Sequence, residues 1–164
     1  MAEPWLRGTL TGVDPLRRQV LHALELSGED AERWCFVLSD MQINERPCGA
    51  ASVAYHLRHI ARSLDRLLSY AEGKQLSEEQ LTALKTELDE QASSTRVFAE
   101  FRAAMSMANL RVLAVDPATY ESPRAVGRER LPTTVGSLLV HVAEHTQRHI
   151  GQAITTAQIV VRRC

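Results

Sequence analysis

Cysteine is scarce and unpatterned in this 164-residue chain. Cys35, Cys48 and Cys164 are odd in number and widely spaced, and no C-x-x-C pair occurs. That spacing fits reduced thiols in the cytosol better than a disulfide scaffold or a thiolate zinc site. Charge of one sign is also missing. The formal net charge is −1, so there is no basic face of the kind nucleic acid demands, and no nucleic-acid partner is expected. No apolar run reaches the roughly 18 to 20 residues of a membrane span. The opening "MAEPWLRGTLTG" lacks the basic-then-apolar order of a secretory signal. Several catalytic signatures are absent as well. There is no Gly-rich phosphate loop, no G-x-S-x-G, no His-Glu-x-x-His and no Glu-x-x-His, the repeated motif of di-iron bundles.

What remains reads as one all-helical domain over residues 1–164, large enough for a core of its own. Asp14 is placed to cap a first helix, with Pro15 at the first helical position, where its missing N–H costs nothing. Val13, Leu16, Val20, Leu24, Ala31, Trp34 and Leu38 then recur at helical spacing, and Ser27-Gly28 is a possible kink. A turn over 44–51 leads to a second helix from about Ser52 to Glu72, with Gly73 as its terminator. Ser77 and Gln80 form a capping box opening a charged surface helix with a thin stripe of Leu81, Leu84 and Leu88. A further helix spans about Thr95 to Val115. Residues 116–133, with three prolines and a glycine, make a long connection too broken for a helix, and the last helix runs from about Thr134. The expectation is an up-down four-helix bundle with a long crossover and an extra short helix. Trp5 and Trp34 read as packing residues, with Trp5 sealing one end.

Five of the six histidines fall in two helices: His56 and His59 in the second, His141, His145 and His149 in the last. At about 100° per residue, His149 falls within the apolar face of the last helix, His145 and Gln152 on its flank, and His141 at the rim. Two inward imidazoles at i and i+4 can share a metal ion, and bundle cores are where such sites are built. The competing reading is a pair of core histidines hydrogen-bonded to backbone or to each other. For a third ligand, phase favours His56, since His59 projects to the side of the Val53/Leu57/Ile60/Leu64 stripe. His22 projects away from its own stripe and is expected to be exposed.

At these residues the chain resembles the DinB-like, damage-inducible family, part of a superfamily that includes bacterial thiol-dependent transferases. The resemblance lies in "SVAYHLRHIA" (52–61), "HTQRHIGQ" (145–152) and the preceding "RPCGAASV", and extends from about residue 14 to 158. It implies His59, His145 and His149 as metal ligands, in place of the His56 that phase prefers. His56, His141 and Gln152 are then supporting or alternative residues. Three neutral imidazoles leave an ion its full charge and an open position. Zinc is the first choice, with nickel or iron(II) also accommodated by imidazole. The resemblance further implies a low-molecular-weight thiol attacking an electrophile, with His141 or His56 as proton acceptor. A hydrolase using water at the same ligands, or a non-catalytic metal-binding module, would share the site. Arg58, Arg62 and Arg148 are candidates for an anionic thiol, Glu144 reads as solvated, and a homodimer through helices 1 or 3 is a further expectation.

Overall fold

The computed structural model describes residues 2–87 and 92–162; Leu88 of the anticipated stripe and Cys164 lie outside them. Four long helices carry the structure: α1 (Pro15–Trp34), α3 (Val53–Ala71), α5 (Ser94–Ala114) and α6 (Val135–Arg162). Two short ones, α2 (Asp40–Asn44) and α4 (Glu78–Lys85), lie between them.

Local chemistry sets most of the ends. Asp14 caps α1, its carboxylate accepting from the Leu16 and Arg17 amides, and Pro15 follows it. Ser52 caps α3 by accepting from the Tyr55 amide. At the other end Gly73, at φ 78°, lets the chain fold back so that its own N–H reaches Tyr70 and that of Lys74 reaches Ser69. The Ser77/Gln80 capping box forms as read, and a second one, Ser39/Gln42, opens α2. α1 passes through Ser27-Gly28 uninterrupted. Ser27 turns its hydroxyl onto the Ala23 carbonyl at 2.8 Å, and Gln147 of α6 donates to both. The helix stops at Trp34, so Leu38 enters the core from the bend that follows rather than from the helix itself.

Side-chain pairings give the helix directions. Gln147 meets Ala23, and Gly136 lies against Leu16, so α1 and α6 run parallel. His56 faces His149 and His59 faces His145, making α3 antiparallel to α6. Arg62 meets Glu100 and Asp65 meets Arg111, so α3 and α5 run parallel. The bundle is therefore all-α, with its helices up, down, down, up. Strict alternation is broken between α3 and α5, where α4 and its flanking segments return the chain along the bundle. α6 packs against both α1 and α3, and α5 closes the ring between them. Phe101, Leu24, Leu57, Ile60, Leu64, Leu139 and Ile150 fill the centre.

The 116–133 connection holds more structure than its prolines suggest. A 3-10 turn, Pro117–Thr119, is followed by the antiparallel strands β1 (Pro123–Val126) and β2 (Leu131–Thr134). Val126 packs on Tyr70, Ala71 and Leu138, and Arg124 Nε donates to the Ala71 carbonyl at 2.7 Å, occupying an acceptor at the end of α3. Gly136 lies so close to Tyr120 that a Cβ there would sit 3.3 Å from the Tyr120 carbonyl oxygen.

Two expectations fail near the N-terminus. His22 is buried, 4% exposed, because the segment before α1 folds over it and brings Thr9 Oγ1 to 3.1 Å from its Nε2. That segment is held by Arg7, which pairs with Glu25 and Glu29. Trp5 seals nothing: it is 54% exposed, since the 3-10 turn Pro4–Leu6 buries Pro4 instead. Trp34 does pack against the core. Among the described residues, no helix is long and apolar enough to cross a membrane.

Candidate metal centre

α3 and α6 pack antiparallel, and their histidines meet at the seam. The buried face of α3 is Val53, Leu57, Ile60, Leu64 and Leu68, with His56 beside it, 5% exposed. His59 lies further round and is half-buried. On α6 the core positions belong to Val142, Thr146, Ile150 and Ala153, which leaves both His145 and His149 half-buried at the edge. His149 is thus less deeply placed than its phase suggests.

The rings form one cluster. One nitrogen from each of His59, His145 and His149 lies within 4.8 Å of the other two. His59 Nε2 is 3.2 Å from His145 Nε2. Two imidazole nitrogens at ordinary zinc distances and a tetrahedral angle stand about 3.4 Å apart, so the spacing suits a shared ion. His56 is not in this trio; its Nδ1 lies 3.1 Å from His149 Nδ1. Phase identified the more buried histidine of α3, but the cluster forms at the helix edge. Tyr55 stacks on His59, with ring centroids 5.4 Å apart.

Burial, and then the proximity of the other rings, pushes the His56 and His145 imidazoles down to about 4. His149 is also pushed down to about 4, by burial and then by His59 and Arg148. All three are therefore neutral near pH 7, the protonation state a metal ligand requires.

Nothing in the residue pattern marked Glu87. It is 6% exposed, and its Oε2 accepts from His59 Nδ1 at 2.8 Å while Oε1 accepts from Arg66 at 2.8 Å. Burial pushes its carboxyl up, but the hydrogen bonds from His59 and Arg66 outweigh that and hold it below its usual value. Arg62 and Arg58 are turned to other work. Arg62 donates to Glu100 at 2.7 Å, to the Ala83 carbonyl and to Thr86; Arg58, largely buried, lies 3.8 Å from Glu100. Neither is aimed at an anionic substrate, while Arg148 stays exposed on α6 near Glu144.

Gln152 is exposed and makes no hydrogen bond to the histidines, so it does not support the site as anticipated; its position on α6 turns outward. His141 does sit at the rim, its Nδ1 2.7 Å from Glu144, with its ring centroid 5.5 Å from that of His145. Beside it opens a groove of about 720 Å³ lined by Tyr120, Glu121, Thr133, Ser137, His141 and Glu144 among others.

The model of the DinB superfamily matches residues 23–153. The chain belongs to the DinB superfamily. The matched stretch runs from within α1 through most of α6 and takes in every histidine of the cluster. No curated protein matches this DinB-superfamily chain. Its fold is the all-α one the resemblance implies, and its histidine trio is an arrangement able to hold a divalent metal.

Proposed function

We propose that this protein is a metal-dependent S-transferase, joining a low-molecular-weight thiol to a small electrophile. The observation that carries the reading is the trio of half-buried imidazoles next to a groove that reaches His141. His59, His145 and His149 would hold a divalent ion, zinc first, with nickel or iron(II) also suited to imidazole. When bound, the ion supplies Lewis acidity, which makes a thiol placed against it far more acidic than in water.

The chain's own groups supply the rest. His141 donates from Nδ1 to Glu144, so in the neutral ring Nε2 is the atom that can take a proton. It takes the thiol proton as the sulfur–carbon bond forms, and returns it to the leaving group. The groove, lined by Tyr120, Thr133 and Ser137, gives the two substrates a place one helical turn from the trio. Both oxygens of Glu87 are engaged, by His59 and Arg66, so that carboxylate orients a ligand rather than activating water.

The test is elemental analysis of protein purified without a histidine tag or chelator, alongside His59→Ala, His145→Ala, His149→Ala and His56→Ala. Near-stoichiometric metal, abolished in the first three variants and retained in His56→Ala, is the expected result. Thiol conjugation is then assayed against a panel of electrophiles. A wild-type protein that stays metal-free after incubation with zinc and with nickel would overturn the reading. A loaded protein that hydrolyses esters but conjugates no thiol would replace it with the hydrolase.

A further inference from the structure

Each imidazole has two ring nitrogens, and it can bind an ion through one only if the other carries the proton. We infer that Glu87 and His56 are positioning residues that fix this choice, Glu87 for His59 and His56 for His149, so that both rings present Nε2 to the centre of the cluster. The inference rests on the metal-centre reading of the trio.

The geometry is specific on both sides. Glu87 is acceptor-only and lies 2.8 Å from His59 Nδ1, so that nitrogen carries a proton, and in the neutral ring the lone pair is on His59 Nε2. It is this Nε2 that stands 3.2 Å from His145. On the other side two Nδ1 atoms meet at 3.1 Å, so one donates and one accepts. If His149 donates, its Nε2 is free for the cluster and His56 keeps its own proton on Nε2. The reverse tautomer would put the proton on His149 Nε2 and commit the ring's one lone pair, on Nδ1, to His56. Both partners are more than nine-tenths buried, which strengthens their hydrogen bonds and keeps water from competing.

Glu87 reaches the site because a set of polar contacts docks α4 on α3. Gln80 donates to Asp65 at 2.6 Å and to Ser69, Arg62 holds the Ala83 carbonyl and Thr86, and Arg66 holds Glu87 itself. The two leucines of the α4 stripe, Leu81 and Leu84, stay 39% exposed and contribute little to that docking. A helix that reads as solvated surface thus delivers a partner to a metal ligand.

Two readouts independent of catalysis test this. Zinc affinity by chelator competition is measured for wild type, Glu87→Ala, Glu87→Gln and His56→Phe. In parallel, long-range ¹H–¹⁵N correlation spectra read the tautomer of each imidazole in the zinc-loaded protein. Wild type should show His59 and His149 protonated at Nδ1. Glu87→Ala should weaken zinc binding about 10- to 100-fold, the usual cost of losing such a partner, and lose the Nδ1 signature of His59 but not of His149. His56→Phe should do the converse. Glu87→Gln, which keeps the volume should the alanine variant misfold, should lose about 10-fold because the acceptor remains without its charge. Affinities within twofold of wild type in all three variants, or His59 protonated at Nε2, would overturn the assignment. A wild type that takes up no zinc would bring down the metal-centre reading with it, so the two failures are distinguishable.

Discussion

Acid should unfold the metal-free protein through its histidines. An imidazole in the unfolded chain takes a proton near 6.5, whereas His56, His145 and His149 in the fold hold off until about 4. Between those values the unfolded state carries more bound protons than the native one, and stability falls as the pH is lowered. The contribution is complete above pH 6.5 and is lost by the time the pH reaches about 4. For His56, only 5% exposed, the difference is worth roughly 3 kcal/mol. His145 and His149 are partly open to solvent and add less each, so about 3 to 6 kcal/mol is at stake in all. Glu87 acts in the same direction, since its lowered carboxyl loses its bonds to His59 and Arg66 when it is protonated. A domain of this size has roughly 5 to 15 kcal/mol in hand, so an acid transition is expected between about pH 6 and 4. The assay is urea unfolding by circular dichroism in excess chelator at half-unit pH steps, with His56→Phe beside the wild type. Stability unchanged from pH 7 to 4.5, or an identical pH slope in His56→Phe, would refute the reasoning. Saturating zinc should shift the transition to lower pH, because the ion competes with protons for the same lone pairs.

Asp14 does three jobs, the third an ion pair with Arg17, and mutation should separate its bond to Tyr120 from the others. It caps α1 and accepts from Tyr120 Oη at 2.6 Å across 106 residues of chain. Asp14→Ala should cost about 2 to 3 kcal/mol and Tyr120→Phe about 1, read from urea midpoints; equal losses would mean that neither the cap nor the pairing of Asp14 with Arg17 contributes. The cysteines should differ sharply in reactivity. Cys35 is fully buried, and burial, reinforced by Asp30, pushes its thiol up to about 12, whereas Cys48 is exposed. Iodoacetamide at pH 7.5 should modify Cys48 but reach Cys35 only after denaturation, as located by peptide mass spectrometry. Comparable native alkylation of Cys35 would contradict its burial.

The legible parts of this chain were those set by neighbouring residues. Asp14-Pro15, Ser52, Ser77/Gln80 and Gly73 mark helix ends through contacts a few residues long, and the structure places ends at each of them. Helical phase correctly found His56 to be the more buried histidine of α3. It pointed away from His59 because a cluster at the seam of two helices draws on residues at the edge of a face, which periodicity scores as outside. Glu87 was illegible for another reason. Its segment docks through Arg62 and Arg66, and charged side chains give no periodic signal of what they will meet. His22 is covered by the segment before α1, where no repeating pattern announces a lid. The hairpin strands are four residues each, with a proline in both, too short for alternation to register.

The antiparallel pairing of α3 with α6 joins His59 to His145 across 86 residues. During synthesis the first half of the cluster leaves the ribosome long before the second. A nascent chain ending anywhere before α6 holds only His59 of the trio, with His56 beside it, and neither Glu87 nor the arginines that hold it can complete the set. Binding of an ion by the trio would therefore wait until α6 has been made and has docked on α3.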